Sequence, residues 1–245
     1  MSEEKPEPQI FAIMRNGHEV IRGGMLDMKE AIDNDDIQTA KEVWQKLHKW
    51  TEMHKRMEEG KEPEPEGCGC FQSLCGGSKV KEPSPCGFFK VLDEKRDGIV
   101  TKNGLHGLHA ELDKVEKAVD VACKKSDLKA LKEAFPKFQE MNESHLKKEE
   151  DVMMPNVMEM KKAGEPMKKI MTQDILPLVS ETPDYEFFVK YANLVLEKHH
   201  GGLPRARVFD HALWAASTPE EWKKVDGWIK ETLQESTYKQ LQAVL

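Results

Sequence analysis

Long apolar runs are missing from this 245-residue chain, and with them the ~18 consecutive apolar residues that a membrane-spanning helix needs. An excess of positive charge is missing too. The 37 basic residues are set against 44 acidic ones, and a net charge of -7 of mixed sign predicts no nucleic-acid partner. The first residues, MSEEKPEPQ, lack the basic segment and apolar stretch of a secretory signal, which predicts a cytoplasmic chain with a disordered tail over residues 1–9. Cysteine is sparse: there are five, an odd number, and four of them (Cys68, Cys70, Cys75 and Cys86) fall within 19 residues, which argues against a disulfide framework. Tyrosine is sparser still, at three residues, whereas thirteen methionines offer adaptable core filling. No phosphate-cradling glycine loop, no Gly-x-Ser-x-Gly elbow and no Cys–His dyad occurs. No segment alternates as a strand does, so the class is all-α.

The periods present are helical. Ile13, Val20, Ile21, Met25, Met28 and Ile32 recur at three- and four-residue steps. Asn34, Asp35 and Asp36 supply a turn and an N-cap, after which Ala40, Val43, Trp44, Leu47, Trp50, Met53 and Met57 line one face of a second helix. Residues 60–100, rich in Gly, Pro and Cys, read as a long loop or insertion. A third helix is predicted from about Lys102 to Lys125. After Ser126 and Asp127 comes a fourth, kinked at Pro136 and ended near Pro155. The remainder, residues 161–245, is a helical extension, with a capping box at Thr218 and Glu221.

A shift of 91 residues superposes the two helical pairs without a gap. His18 falls on His109, Asp36 on Asp127, Glu52 on Glu143, His54 on His145, and Glu58–Glu59 on Glu149–Glu150. Two duplicated helical hairpins predict an up-down four-helix bundle over residues 10–160. Asp36 lies 18 residues from both His18 and His54, and Asp127 stands likewise between His109 and His145, so the four imidazoles share one level of the bundle. His54 and Glu58, like His145 and Glu149, are four apart and share a helical face. Imidazole nitrogen and carboxylate oxygen suit iron, manganese or zinc. Two carboxylates on opposite helices can bridge two ions while the histidines cap them, and Ile21, Leu112, Trp50 and Met141 would shield the site. A lone histidine or a lone His-x-x-x-Glu would ordinarily be a surface or ion-pair feature. Six ligand-type residues repeating in register are not ordinary in that sense.

HEVIR at 18–22, HAELD at 109–113, HKRMEE at 54–59 and HLKKEEDVMMP at 145–155 resemble the motifs of the hemerythrin-like, or HHE cation-binding, family, over about residues 10–155. The resemblance implies a binuclear non-haem iron centre, two Fe ions with room for O2, held by His18, His54, Glu58, His109, His145 and Glu149. Hemerythrins proper place two histidines four apart on the third helix. Here Asp113 stands four after His109, and His106, three before it, is the seventh candidate ligand. Hemerythrin spacing would select Glu150 in place of Glu149.

Other features carry two readings each. His199 and His200 end a helix before Gly201-Gly202, as a C-terminal cap or as a source of a further imidazole, and His211 shares that ambiguity. The cysteine stretch is a mobile loop or a thiolate site. The stretch after Asp93 echoes a calcium loop but has Lys95 and Gly104 where ligands are required. Three functions fit: a di-iron protein that binds or senses O2 or iron, a di-iron oxygenase or oxidase, and a metal-storage or stress protein meeting peroxide or nitric oxide. The oxygenase would act on a small organic, anionic substrate clamped near Pro204, Arg205 and Arg207.

Overall fold

The computed structural model describes residues 9–60, 86–199 and 203–242. Among them there is no strand, and no helix is long and apolar enough to cross a membrane. The helices are α1 (Gln9–Asp33), α2 (Ile37–Glu59), α3 (Phe88–Lys95), α4 (Ile99–Lys102), α5 (Leu105–Lys125), α6 (Leu128–Lys162), α7 (Met167–Ile170), α8 (Pro177–Ser180), α9 (Tyr185–Lys198), α10 (Leu203–Ala216), α11 (Pro219–Thr232) and α12 (Glu235–Gln242), with a π-helical turn over Met171–Ile175.

Four long helices close a ring: α1 packs on α2, α2 on α5, α5 on α6, and α6 back on α1. The duplicated turns explain the hairpins. Asp35 and Ser126, 91 apart, both adopt left-handed backbone angles, φ 58° and 52°. The next residue caps the following helix in each case: Asp36 accepts from the Thr39 amide at 3.0 Å and Asp127 from the Ala130 amide at 2.9 Å. The backbone amides of Asp36 and Asp127 bond back to Ala31 and Ala122.

The C-terminal helices wrap this ring. Helices α9 and α10 lie on α1, α11 lies on α9, and α12 on α10. Close approach of α1 and α9 depends on Gly23, where an added Cβ would lie 2.4 Å from Val195 Cγ1. The predicted capping box is present, with Thr218 and Glu221 each serving the other's backbone amide.

Two expectations need correction. Helix α6 does not end near Pro155 but runs to Lys162 through both Pro136 and Pro155. Both prolines sit on the solvent face, as do Lys132 and Asp151 four residues back, so water can serve the carbonyls the rings leave unbonded. The buried stripe of Met153, Val157 and Met160 then holds the helix together past Pro155. The span read as loop up to residue 100 contains α3 and the first half of α4. Here Phe88, Phe89, Val91, Leu92 and Val100 are buried, over runs too short for a period to show. Asp93 is a turn staple, its carboxylate accepting from the amides of Val100 and Thr101 and from the Thr101 hydroxyl. Residues 1–8, His200, Cys68, Cys70, Cys75 and the side chains of Pro204 and Arg205 lie outside the described residues.

Candidate metal centre

Each ring helix delivers one histidine to the interior: His18 from α1, His54 from α2, His109 from α5 and His145 from α6. All four are at most 3% exposed, and Glu58 and Glu149, one turn beyond His54 and His145, are as deeply buried. The six fall into two groups capable of holding a metal ion. The first is His18, His54, Glu58 and Glu149, and the second is His109, His145, Glu58 and Glu149. Both carboxylates belong to both groups, and their two oxygens are divided between them. Glu58 turns Oε1 to His54 at 3.3 Å and Oε2 to His109 at 3.4 Å. Glu149 turns Oε2 to His18 at 3.4 Å and Oε1 to His145 at 3.1 Å. Donors about 2.1 Å from a shared ion stand roughly 3.0–3.5 Å apart at ordinary ligand angles.

The remaining polar valences point the same way. His18 Nε2, His54 Nε2, His109 Nε2 and both oxygens of Glu58 and of Glu149 are buried without any hydrogen-bond partner. Unpaired buried groups of this kind cost about 1–3 kcal/mol each, and more when charged. Convergence of so many on two points is what a pair of cations would satisfy, so the donor set fits two ions.

Two carboxylates flank the six and set ring orientation. His18 Nδ1 is 2.9 Å from Glu150, and His109 Nδ1 is 2.6 Å from Glu59. Under the 91-residue repeat these are the same bond twice, each crossing between helices. Such an arrangement fixes the tautomer, leaving Nε2 as the free donor toward the centre. Arg22 donates to Glu150 at 2.8 Å; its repeat partner is Asp113, so the second copy lacks that cation.

Electrostatics inside the cluster are opposed. Burial lowers the affinity of His109 for a proton, but the carboxylates of Glu149, Glu58 and Glu59 outweigh it and push the group up to about 12. His18 is raised against its burial chiefly by Glu150 and Glu149. Burial depresses His54 to about 4 and His145 to about 3, the neighbouring imidazolium charges adding to the effect. Burial would raise Glu58, yet His54 and His109 hold it at about 2. Glu149 is pushed up to about 8 by burial and by the charge on Glu58. Protons are thus what keeps two buried acids together here, a task that metal cations perform with greater charge.

His106 belongs to neither group. It lies three residues before His109, on the outward side, 51% exposed, against the edge of Phe89 with Nδ1 3.9 Å from Glu59. Glu150 is a hydrogen-bond partner of His18 and not a member of either group. His199 caps α9 and pairs with Asp27 at 2.7 Å, and His211 lies beside Trp214. Arg207 donates to the Gln240 carbonyl.

Sequence reading missed most of the walls. A cavity of about 20 Å³ beside His54 and Glu58 is lined by Ile13, Met14, Met57, Phe88, Met171 and Ile175, drawn from α1, α2, α3 and the π-helical turn. Phe89 of α3 stacks on His109 with ring centroids 5.5 Å apart. Ile13 and Met57 lie on the apolar faces predicted for the first two helices; of the others, only the apolar pair Phe88-Phe89 inside a Gly/Pro-rich stretch stands out. No family model, no curated protein and no solved structure matches the chain.

Proposed function

We propose that the chain is a binuclear non-haem iron protein of the hemerythrin-like kind, its ring helices forming an up-down four-helix bundle, and that it binds or senses dioxygen. The observation that carries this reading is the pair of four-residue groups sharing Glu58 and Glu149, with both carboxylates and the Nε2 atoms of His18, His54 and His109 otherwise unpartnered. Two ferrous ions, when bound, would supply electrons and Lewis acidity toward a small oxidising ligand.

The chain's own residues do the rest. Glu58 and Glu149 bind both positions, and Glu59 and Glu150 hold the rings of His109 and His18 in place. Apart from His54 and Glu58 the lining of the cavity is apolar, which suits dioxygen. Its size supports binding or sensing over turnover of an organic substrate. It has room for about one water-sized molecule, and Arg207 is not among its lining residues.

The test is the visible spectrum of the aerobically purified full chain. An absorption band that appears with oxygen and disappears on degassing, repeatedly, is the expected result. Irreversible oxygen consumption with release of an oxidised organic product would replace this reading with the oxygenase.

A further inference from the structure

Away from the binuclear centre, the contact between α2 and α5 carries a second polar cluster. Glu116 lies seven residues beyond His109 on α5, about 10 Å along the helix. It is only 3% exposed, and its Oε1 has no partner. Across from it on α2 stand His48 and Glu52, one turn apart, and the three present ligand atoms close enough to share one ion. His48 Nδ1 is likewise buried and unpartnered, while its ring is held flat against Trp44 with centroids 5.4 Å apart.

Lys55 does not complete the cluster. Its ammonium takes Glu116 Oε2 at 2.7 Å, Asp113 at 2.7 Å and Glu52 Oε1 at 3.1 Å, and leaves Glu116 Oε1 open. Three carboxylates against one ammonium leave two negative charges, which one divalent cation balances. Of the three, only Glu52 belongs to the duplicated set, falling on Glu143; the repeat pairs His48 with Gln139 and Glu116 with Met25. Symmetry inherited from duplication therefore does not account for His48 or Glu116.

We propose that His48, Glu52 and Glu116 form a third, mononuclear site for a divalent cation of the manganese or iron class. Glu52 is exposed, so the site opens to solvent, and Glu52 also lines a polar groove that continues past Lys55, Asp113 and Glu59 to His109. That places the third site on the water-accessible side of the centre, where an ion arriving from solution is held first. The site itself stands on residues separate from the six of the centre; only the route to His109 rests on the binuclear reading.

Equilibrium dialysis of the full chain against Mn2+, with the electron paramagnetic resonance signal of the bound ion, tests it. The wild-type chain is expected to bind three ions, the third with an isolated-ion signal. Glu116→Gln, which keeps side-chain volume, should bind two, and Glu52→Gln should weaken the third by at least about ten-fold. Uptake by the centre should be slower in both variants. One bound ion in wild type that Glu116→Gln abolishes would uphold the third site and remove the binuclear centre instead. A wild-type chain that stops at two ions, with both kept in Glu116→Gln, overturns the proposal. Unchanged uptake rates in variants that have lost the third ion overturn its place on the route.

Discussion

Glu149 shows most sharply what single side chains do in this protein. It is fully buried, has no hydrogen-bond partner at either oxygen, and is raised to about 8 beside a Glu58 held near 2. Replacing Glu58 or Glu149 by Ala should abolish binding at both metal positions at once, because each serves both groups; replacing His54 or His145 removes a ligand from one group only. Metal content by elemental analysis distinguishes the two outcomes. Glu59→Gln and Glu150→Gln should leave the count unchanged at saturating metal but lower affinity by about 10–100-fold, read by competition with a chromophoric chelator. At this scale the sequence was informative where duplication doubled the signal. The six inward residues recur in register, and so do Glu59 and Glu150, but spacing alone could not say which acid of each pair turns inward. His106 misled for a related reason: a residue three positions away on a helix is rotated enough to meet Glu59 and solvent instead of the interior.

Among the elements, α1 is the one most constrained by its neighbours. Gly23→Ala would drive a methyl group against Val195 of α9 and should destabilise the chain by about 1–2 kcal/mol despite the better helix propensity of alanine. Gly227→Ala in α11, where nothing lies within 4 Å of the new methyl, should instead stabilise by about 1 kcal/mol. Denaturant midpoints read both. Helices α9 and α10 also bury Asp210, whose carboxyl burial pushes up to about 7 although Asn193 donates to it. The folded state then retains a proton that the unfolded chain releases near pH 4, so this group's contribution to stability is lost as pH rises from about 4 through 7. Asp210→Asn should stabilise the chain at pH 8 by on the order of a few kcal/mol, seen as a higher melting temperature, and change little at pH 4. Helix ends with side-chain caps, such as Asp36, Asp127 and Thr218, were legible. The persistence of α6 through Pro155 was not, because its cause is burial of Met153 and Val157 by distant segments.

At the scale of the molecule, the ring of α1, α2, α5 and α6 holds the candidate centre, and a segment inserted between its two hairpins and another that follows them line that centre. Phe88 and Phe89 come from between the two hairpins, Met171 and Ile175 from beyond the second, and no periodicity could have predicted their meeting. Because the ions would bind the folded chain only, removing them with a chelator should lower the melting temperature. The loss is about 4 kcal/mol for each ion when free metal stands a thousand-fold above its dissociation constant. The most direct test of the account is the iron content of the full chain purified aerobically from iron-replete cells, alongside Glu58→Ala and Glu149→Ala. An iron content two per chain higher in wild type than in either variant is the predicted result; wild-type content retained by both variants would contradict it.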